Sequence, residues 1–156
     1  MSEHRASIIW TKQTESFRYE DYNREHTWTF PKSGIVVQAT AAPKYRGKPE
    51  SVDPEEALVA AISSCHMLTF LALCARKGVV VERYEDEAVG WLEPNEERRL
   101  AITRVVIKPS ITFAAGHQPD AEALAKLHEE AHEHCFIANS VRTAIAVEGS
   151  AQEVAR

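Results

Sequence analysis

The stretch DPEEALVAAISSCHMLTFLALCARKG, Asp53 to Gly78, constrains the fold more than any other part of the chain. Asp53 is a strong N-cap residue, Pro54 suits the first helical position, and Glu56 stands three after Asp53, as in a capping box. Arg76 and Lys77 suit the negative end of a helix dipole, and Gly78 supplies the stop. The pattern predicts a helix over 54–77, roughly 36 Å long at 1.5 Å per residue. From Ala57 to Ala75 only Ser63, Ser64, His66 and Thr69 are polar. A helix apolar nearly all round is buried on most sides. In a chain of 156 residues, that requires a helix wrapped by sheet or packed against a second chain. The length favours one domain, 1–156, around one core.

The flanking segments supply the sheet. SIIWTK, SFRYED, HTWTFPK and GIVVQATAA are short runs rich in aromatic and β-branched residues, separated by polar clusters. They predict an N-terminal β region over about 1–42. PKYRGKPESVDP then reads as a loop. Beyond the helix, VVVERYEDEAVGWLE reads as one strand, PNEERR as a turn, and LAITRVVIKPSITFAA as a second strand with Pro109 at an edge or bulge. Leu124, Leu127, Ala131 and Cys135 have helical spacing, which predicts a helix over 119–135. Val141 to Val147 reads as a closing strand. The class is α+β, with mostly antiparallel sheet and two main helices.

Several function classes are disfavoured at this level. A net charge of −5 gives no basic footprint for nucleic acid. The N-terminus MSEHRASIIW lacks the basic-then-apolar layout of a signal peptide, and no apolar run reaches the roughly 18 residues a membrane span needs. The expected location is the cytoplasm, where the three cysteines, Cys65, Cys74 and Cys135, serve burial, metal binding or chemistry rather than a disulfide framework.

HEEAHEHCF, His128 to Phe136, admits two readings. Its first five residues match H-E-x-x-H, which places two imidazoles one turn apart where both can hold Zn²⁺. A catalytic zinc also needs a third ligand and an open position. His117, His134, Cys135 and glutamates are present, but without diagnostic spacing. The surrounding EALAKLHEEAHEHC is a charged amphipathic helix in which His and Glu are ordinary surface residues. No metal is therefore expected. The other reading is that this helix delivers a thiol. Cys65 and Cys74 are nine residues apart, about 900° of helix at 100° each, so they point to opposite faces and cannot pair. If Cys65 has a resolving partner, it is Cys135.

The segment DPEEALVAAISSCHMLTFLAL, followed by AHEHCFIANSV with its cysteine 70 residues after Cys65, resembles the OsmC/Ohr family of thiol-dependent peroxidases. The order and lengths of the elements fit across nearly the whole chain. The residues HMLTF after Cys65 and FIANSV after Cys135 differ from those of the best-known members. The resemblance implies an intertwined homodimer, two central helices wrapped by sheets, and reduction of organic hydroperoxides without metal, haem or flavin. It makes Cys65 the peroxidatic thiol and Cys135 the resolving one. Glu55 matches the glutamate that holds an arginine beside the thiolate. Cys74 receives no role.

Such chemistry has physical requirements. A thiolate must attack the O–O bond, and a buried thiolate is stabilised by a nearby cation, for which guanidinium is well suited. The sulfenic acid condenses with a second thiol, and an external thiol or dithiol must reduce the disulfide. Glu55 and Cys65 lie ten residues apart, about 15 Å along a straight helix, so they cannot share an arginine within one helix. Either the helix start bends or the two come together across a dimer from antiparallel helices; a composite site at a dimer interface is the expectation. Arg46, in KYRGKP, is the first choice of arginine, with Arg18 and Arg24 as alternatives. His66 and His134 flank the two cysteines and are candidates to tune a thiol or donate a proton. His66 should point about 100° away from Cys65. Met67, Leu68, Phe70, Phe136 and N-terminal aromatics are expected to line an apolar pocket. Two other classes remain open. One is a redox-sensing or partner-binding protein with little turnover. The other is a metal-binding protein using His128, His132 and Cys135.

Overall fold

The computed structural model describes residues 1–154. Their contacts group into two compact units, 1–57 and the chain from Leu58 onward.

In the first unit, β1 (Ser7–Ile9), β2 (His26–Phe30) and β3 (Ile35–Ala39) form an antiparallel sheet in the order β1-β2-β3, with Trp28 opposite both Ile8 and Val37. The expected strand over SFRYED is absent. The amides of Asp21 and Tyr22 return to the Arg18 carbonyl, and Arg18 Nε pairs with Asp21 at 2.8 Å. Aromatic content signalled a strand, but Trp10, Phe17 and Tyr22 pack on one another instead, with ring centroids 5.1–6.2 Å apart. After β3 the chain makes a short 3-10 turn at Pro43–Tyr45. At Gly47 it passes so near Ala41 that a Cβ would lie 1.4 Å from the Ala41 carbonyl oxygen. The predicted capping box then forms in both directions. Glu56 N donates to Asp53 Oδ1 at 2.8 Å, and Asp53 N donates to Glu56 Oε2 at 3.2 Å.

Helix α1, Pro54–Arg76, starts here and continues into the second unit. It ends as expected at Gly78, whose φ of 71° suits a residue without Cβ, with Val79 N donating to the Cys74 carbonyl at 2.9 Å. In the second unit, β4 (Val81–Asp86), β7 (Pro109–Phe113) and β9 (Ser150–Glu153) form one sheet. Strands β5 (Val89–Pro94), β6 (Leu100–Ile107) and β8 (Ala144–Val147) form another. Each expected long strand is therefore two strands in two sheets, and the expected closing strand is followed by a further one. The break is held by Asp86. Its carboxylate accepts from the Ser63 hydroxyl and from the Lys108 amide, the latter at 2.5 Å. Pro109, buried and without an N–H, opens β7 at this corner. β4–β7 and β5–β6 are antiparallel, but β9 joins β7 and β8 joins β6 in parallel.

Helix α2 (Ala121–His134) lies between β7 and β8 in the chain and is capped by Asp120, which accepts from Ala123 N at 2.8 Å. Two apolar clusters hold the second unit together. Ile62 of α1 packs with Val105 and Ile107 of β6, while Phe70 and Cys74 pack with Ile111 and Phe113 of β7 and Leu127 and Ala131 of α2. Only the stripe Ile62, His66, Phe70, Cys74 of α1 is buried. The expectation of burial on most sides is not met within one chain; Leu68, on another face, is 61% exposed. By length and mean hydropathy α1 matches a membrane span despite its scattered polar residues, contrary to the sequence expectation. In this fold it is the core helix on which both sheets of the second unit pack.

Candidate functional site

Folding of the second unit brings two cysteines 70 residues apart in sequence side by side. Cys65 lies midway along α1, and Cys135 is the C-cap residue of α2. Cys135 sits beside Cys65, close enough for the two thiols to perturb one another. The turn after α2 supplies donors to both sulfurs: Ile137 N lies 3.5 Å from Cys65 Sγ and Ala138 N 3.3 Å from Cys135 Sγ. Both cysteines are free thiols. Burial first, and then the neighbouring Cys65 thiol, push the Cys135 thiol above its ordinary range. Cys74 is buried and points away from this pair, as its spacing required. Burial raises its thiol to about 11.

A cavity of about 740 Å³ opens on Cys65. Leu68, Leu73, Phe136 and Ile137 give it apolar walls, and Arg76, Glu133 and His134 also line it. Leu68 and Phe136 take the expected lining positions. Phe70 does not: it is fully buried in the core, stacked on His128 with centroids 4.6 Å apart. Met67 lies off this cavity as well.

His66 points away from Cys65 into the core, where it is 2% exposed. Its Nε2 lies 3.0 Å from Nδ1 of His128, and the two rings stack at 5.3 Å with an 11° interplanar angle. The first histidine of the H-E-x-x-H pattern is thus turned inward, with Nδ1 occupied by another imidazole. Among the described residues, no three His, Cys, Asp or Glu side chains gather in a metal-holding arrangement. Sequence reasoning missed the histidine pair. The only available signal was His66, the lone histidine within an otherwise apolar helical stripe.

The remaining candidates lie in the first unit. A second cavity, about 420 Å³, is lined by Trp10, Phe17, Tyr22, Arg24, His26 and Glu55, among others. Arg24 is buried, donates to the Tyr22 and Tyr19 carbonyls, and lies 3.5 Å from the centroid of the Tyr22 ring. Arg46 takes a different place. It has a left-handed φ of 67°, donates to the Glu20 carbonyl at 3.2 Å, and is absent from the cavity that holds Glu55. Arg18 is exposed and paired with Asp21. Of the three arginines, Arg24 is the one that lines the same cavity as Glu55.

Comparison with known proteins matches this architecture. An OsmC-like protein of unknown function from Vibrio cholerae has the same fold, with a TM-score of 0.91 and 43% identity over 96% of this chain and 99% of that one. An organic hydroperoxide resistance protein OsmC from Legionella pneumophila superposes with a TM-score of 0.70 at 16% identity, covering 97% and 98% of the two chains. The uncharacterized protein YmaD of Bacillus subtilis is 23% identical over 77% of this chain and 80% of its own length. The sequence profile described as OsmC-like protein matches residues 47–150. With a shared fold, a shared profile and a relative of 43% identity, the chain belongs to the OsmC-like family.

Proposed function

We propose that the protein is a cysteine-based peroxidase that reduces organic hydroperoxides in defence against oxidative stress. The observation that carries this reading is the juxtaposition of Cys65 and Cys135 on adjacent amides of one turn, beside an apolar cavity. Two free thiols side by side, on separate elements, can be joined and parted with little movement of the rest of the fold. One of them opens on a space whose walls suit an alkyl chain better than a hydrated peroxide.

In this reading the Cys65 thiolate attacks the terminal peroxide oxygen. The O–O bond breaks, and the alkoxide leaves as an alcohol after taking a proton. The sulfenic acid on Cys65 condenses with the Cys135 thiol, releasing water and forming a disulfide. An external thiol or dithiol then supplies two electrons and two protons to restore both cysteines. No cofactor enters the cycle. The raised Cys135 thiol suits this division of labour, because a resolving residue that stays protonated does not compete for peroxide.

Arg24 and Glu55 supply the cationic half of the site, delivered to Cys65 of a second copy in a cytoplasmic homodimer. Support for the dimer comes from the second unit itself, where Leu68 and Phe136, 61% and 81% exposed, flank Cys65 on a face the chain leaves uncovered.

The reading is tested by intact mass without reductant after one equivalent of cumene hydroperoxide. Wild type should lose two hydrogens, Cys135→Ser should gain oxygen, and Cys65→Ser should not change. A wild type that stays reduced while a control thiol peroxidase reacts would overturn it.

A further inference from the structure

We propose that the His66–His128 hydrogen bond is a positioning element that sets α2 on α1 so that Cys135 meets Cys65. This role presupposes the thiol pair of the peroxidase reading but not peroxide as its oxidant.

Two contacts join the helices near the thiols. His66 directly follows Cys65 on α1 and meets His128 at 3.0 Å. Cys65 itself lies beside Cys135, its Sγ 3.5 Å from Ile137 N while the Cys135 Sγ is 3.3 Å from the next amide, Ala138 N. On α2, His128 and Cys135 are seven residues apart, so they project to nearly the same side, about 10 Å apart along the axis. Adjacent residues of α1 thus meet points two turns apart on α2, and α2 crosses α1 rather than running alongside it. One contact would leave α2 free to pivot about it. The histidine contact, added to the packing of Leu127 and Ala131, fixes the direction of α2 and so where its C-terminal thiol falls. The apolar packing of Leu127 and Ala131 is less directional than a hydrogen bond between stacked rings, and the Lys77–Glu130 ion pair is exposed.

The choice of residue supports a role beyond packing. His66 interrupts the stripe of Ile62, Phe70 and Cys74, and its Nδ1 is buried without a partner. An apolar side chain there would avoid that cost. An unpaired buried N–H would cost more still, so the proton belongs on Nε2. His66 donates to His128, and the His128 proton lies on its own Nε2. His66 is not on the Cys65 cavity, so it acts through position and not by giving a proton to the substrate.

The test is the equilibrium of the Cys65–Cys135 disulfide with glutathione, read by acid quench, alkylation and mass on the full chain. Oxidised glutathione accepts two electrons from the thiol pair and leaves as two reduced molecules. His128→Phe keeps a ring against Phe70 and removes the hydrogen bond. His128→Asn keeps an acceptor near the position of Nδ1. His128→Phe should lower the equilibrium constant for disulfide formation about five- to tenfold, and His128→Asn should restore most of it. If His128→Phe does not fold, His66→Met against His66→Gln makes the same comparison from the other side. Equal constants for wild type and the hydrogen-bond-deleting variant would overturn the proposal, as would an Asn or Gln variant no better than its apolar counterpart. A wild type oxidised by glutathione but not by cumene hydroperoxide would overturn the peroxidase reading alone.

Discussion

Cys65 and Cys135 meet with each sulfur facing a backbone N–H of the same turn, Ile137 for one and Ala138 for the other. A sulfur that gains negative charge is stabilised by such donors, so the turn after α2 serves whichever of the two carries charge during exchange. Cys74, two and a half turns away on α1, has surroundings of the opposite kind. It sits among Phe70, Ile111, Phe113 and Leu127, and burial holds its thiol near 11.

The three cysteines should therefore differ in reactivity. At pH 8 with iodoacetamide, Cys74 of the folded chain should remain unmodified while Cys65 is labelled, and Cys74 should react once urea unfolds the protein. Cys74→Ala should leave thiol oxidation intact and cost about 1 kcal/mol or less, since only one buried sulfur is lost. Peptide mapping after timed alkylation reads the first outcome, and urea unfolding the second.

The capping signals around α1 were legible because they are local. Asp53, Glu56 and Gly78 interact within one turn of their own positions, and the structure places each as the sequence required. Strand boundaries were less legible. VVVERYEDEAVGWLE carries an unbroken β pattern, yet Asp86 ends one strand by binding Ser63 and Lys108, residues 23 and 22 positions away. No window along the chain contains that information. The same holds for the His66–His128 pair, whose members are 62 residues apart. Cys65, among Ala, Ile and Leu, reads by itself as a core residue; the resemblance of the two segments to a known family singled out the pair, and their meeting depends on how the helices cross.

Arginine assignment gives a direct contrast. Arg24 is buried and shares a cavity with Glu55, whereas Arg46 rests on the Glu20 carbonyl outside it. If Arg24 is the guanidinium that supports the thiolate, Arg24→Met should reduce the second-order rate with cumene hydroperoxide on the order of 10²-fold, the loss typical of one charge-stabilising donor. Arg46→Met should stay within about twofold. Stopped-flow oxidation of both variants, checked for folding by near-UV dichroism, decides between them. The reverse order of effects would return the role to Arg46.

Close packing of α1 on its sheet makes a prediction about stability. A Cβ at Gly90 of β5 would lie 2.5 Å from Val59 Cγ2 of α1 and 3.3 Å from Val105 Cγ2 of β6. Gly90→Val should destabilise by about 1–3 kcal/mol through overpacking. Val59→Ala should recover part of that loss when combined with it, because it removes the nearest obstructing methyl groups. Urea midpoints of the two single variants and the double variant measure the coupling.

Acid stability follows from the buried histidine pair. Burial first, then repulsion from His128 and His132, lower His66 to about 4 in the folded chain. His128 is lowered by burial as well. The Tyr84 hydroxyl, buried and without a partner on a ring that packs on Phe70, stays neutral across this range, since burial raises its pKa. In the unfolded chain a histidine titrates near 6.5. Between these values the unfolded state binds more protons than the folded one, so stability rises with pH. The contribution is fully present above about pH 6.5 and is lost as pH falls toward 4. For His66 alone the loss between pH 7 and 4.5 should be about 2 kcal/mol. His66→Gln cannot titrate, so the difference in unfolding free energy between wild type and His66→Gln should shift by that amount over the same interval. Urea titrations of both proteins at pH 7, 5.5 and 4.5 measure it. A difference that stays constant with pH would show that His66 is not held neutral by the fold.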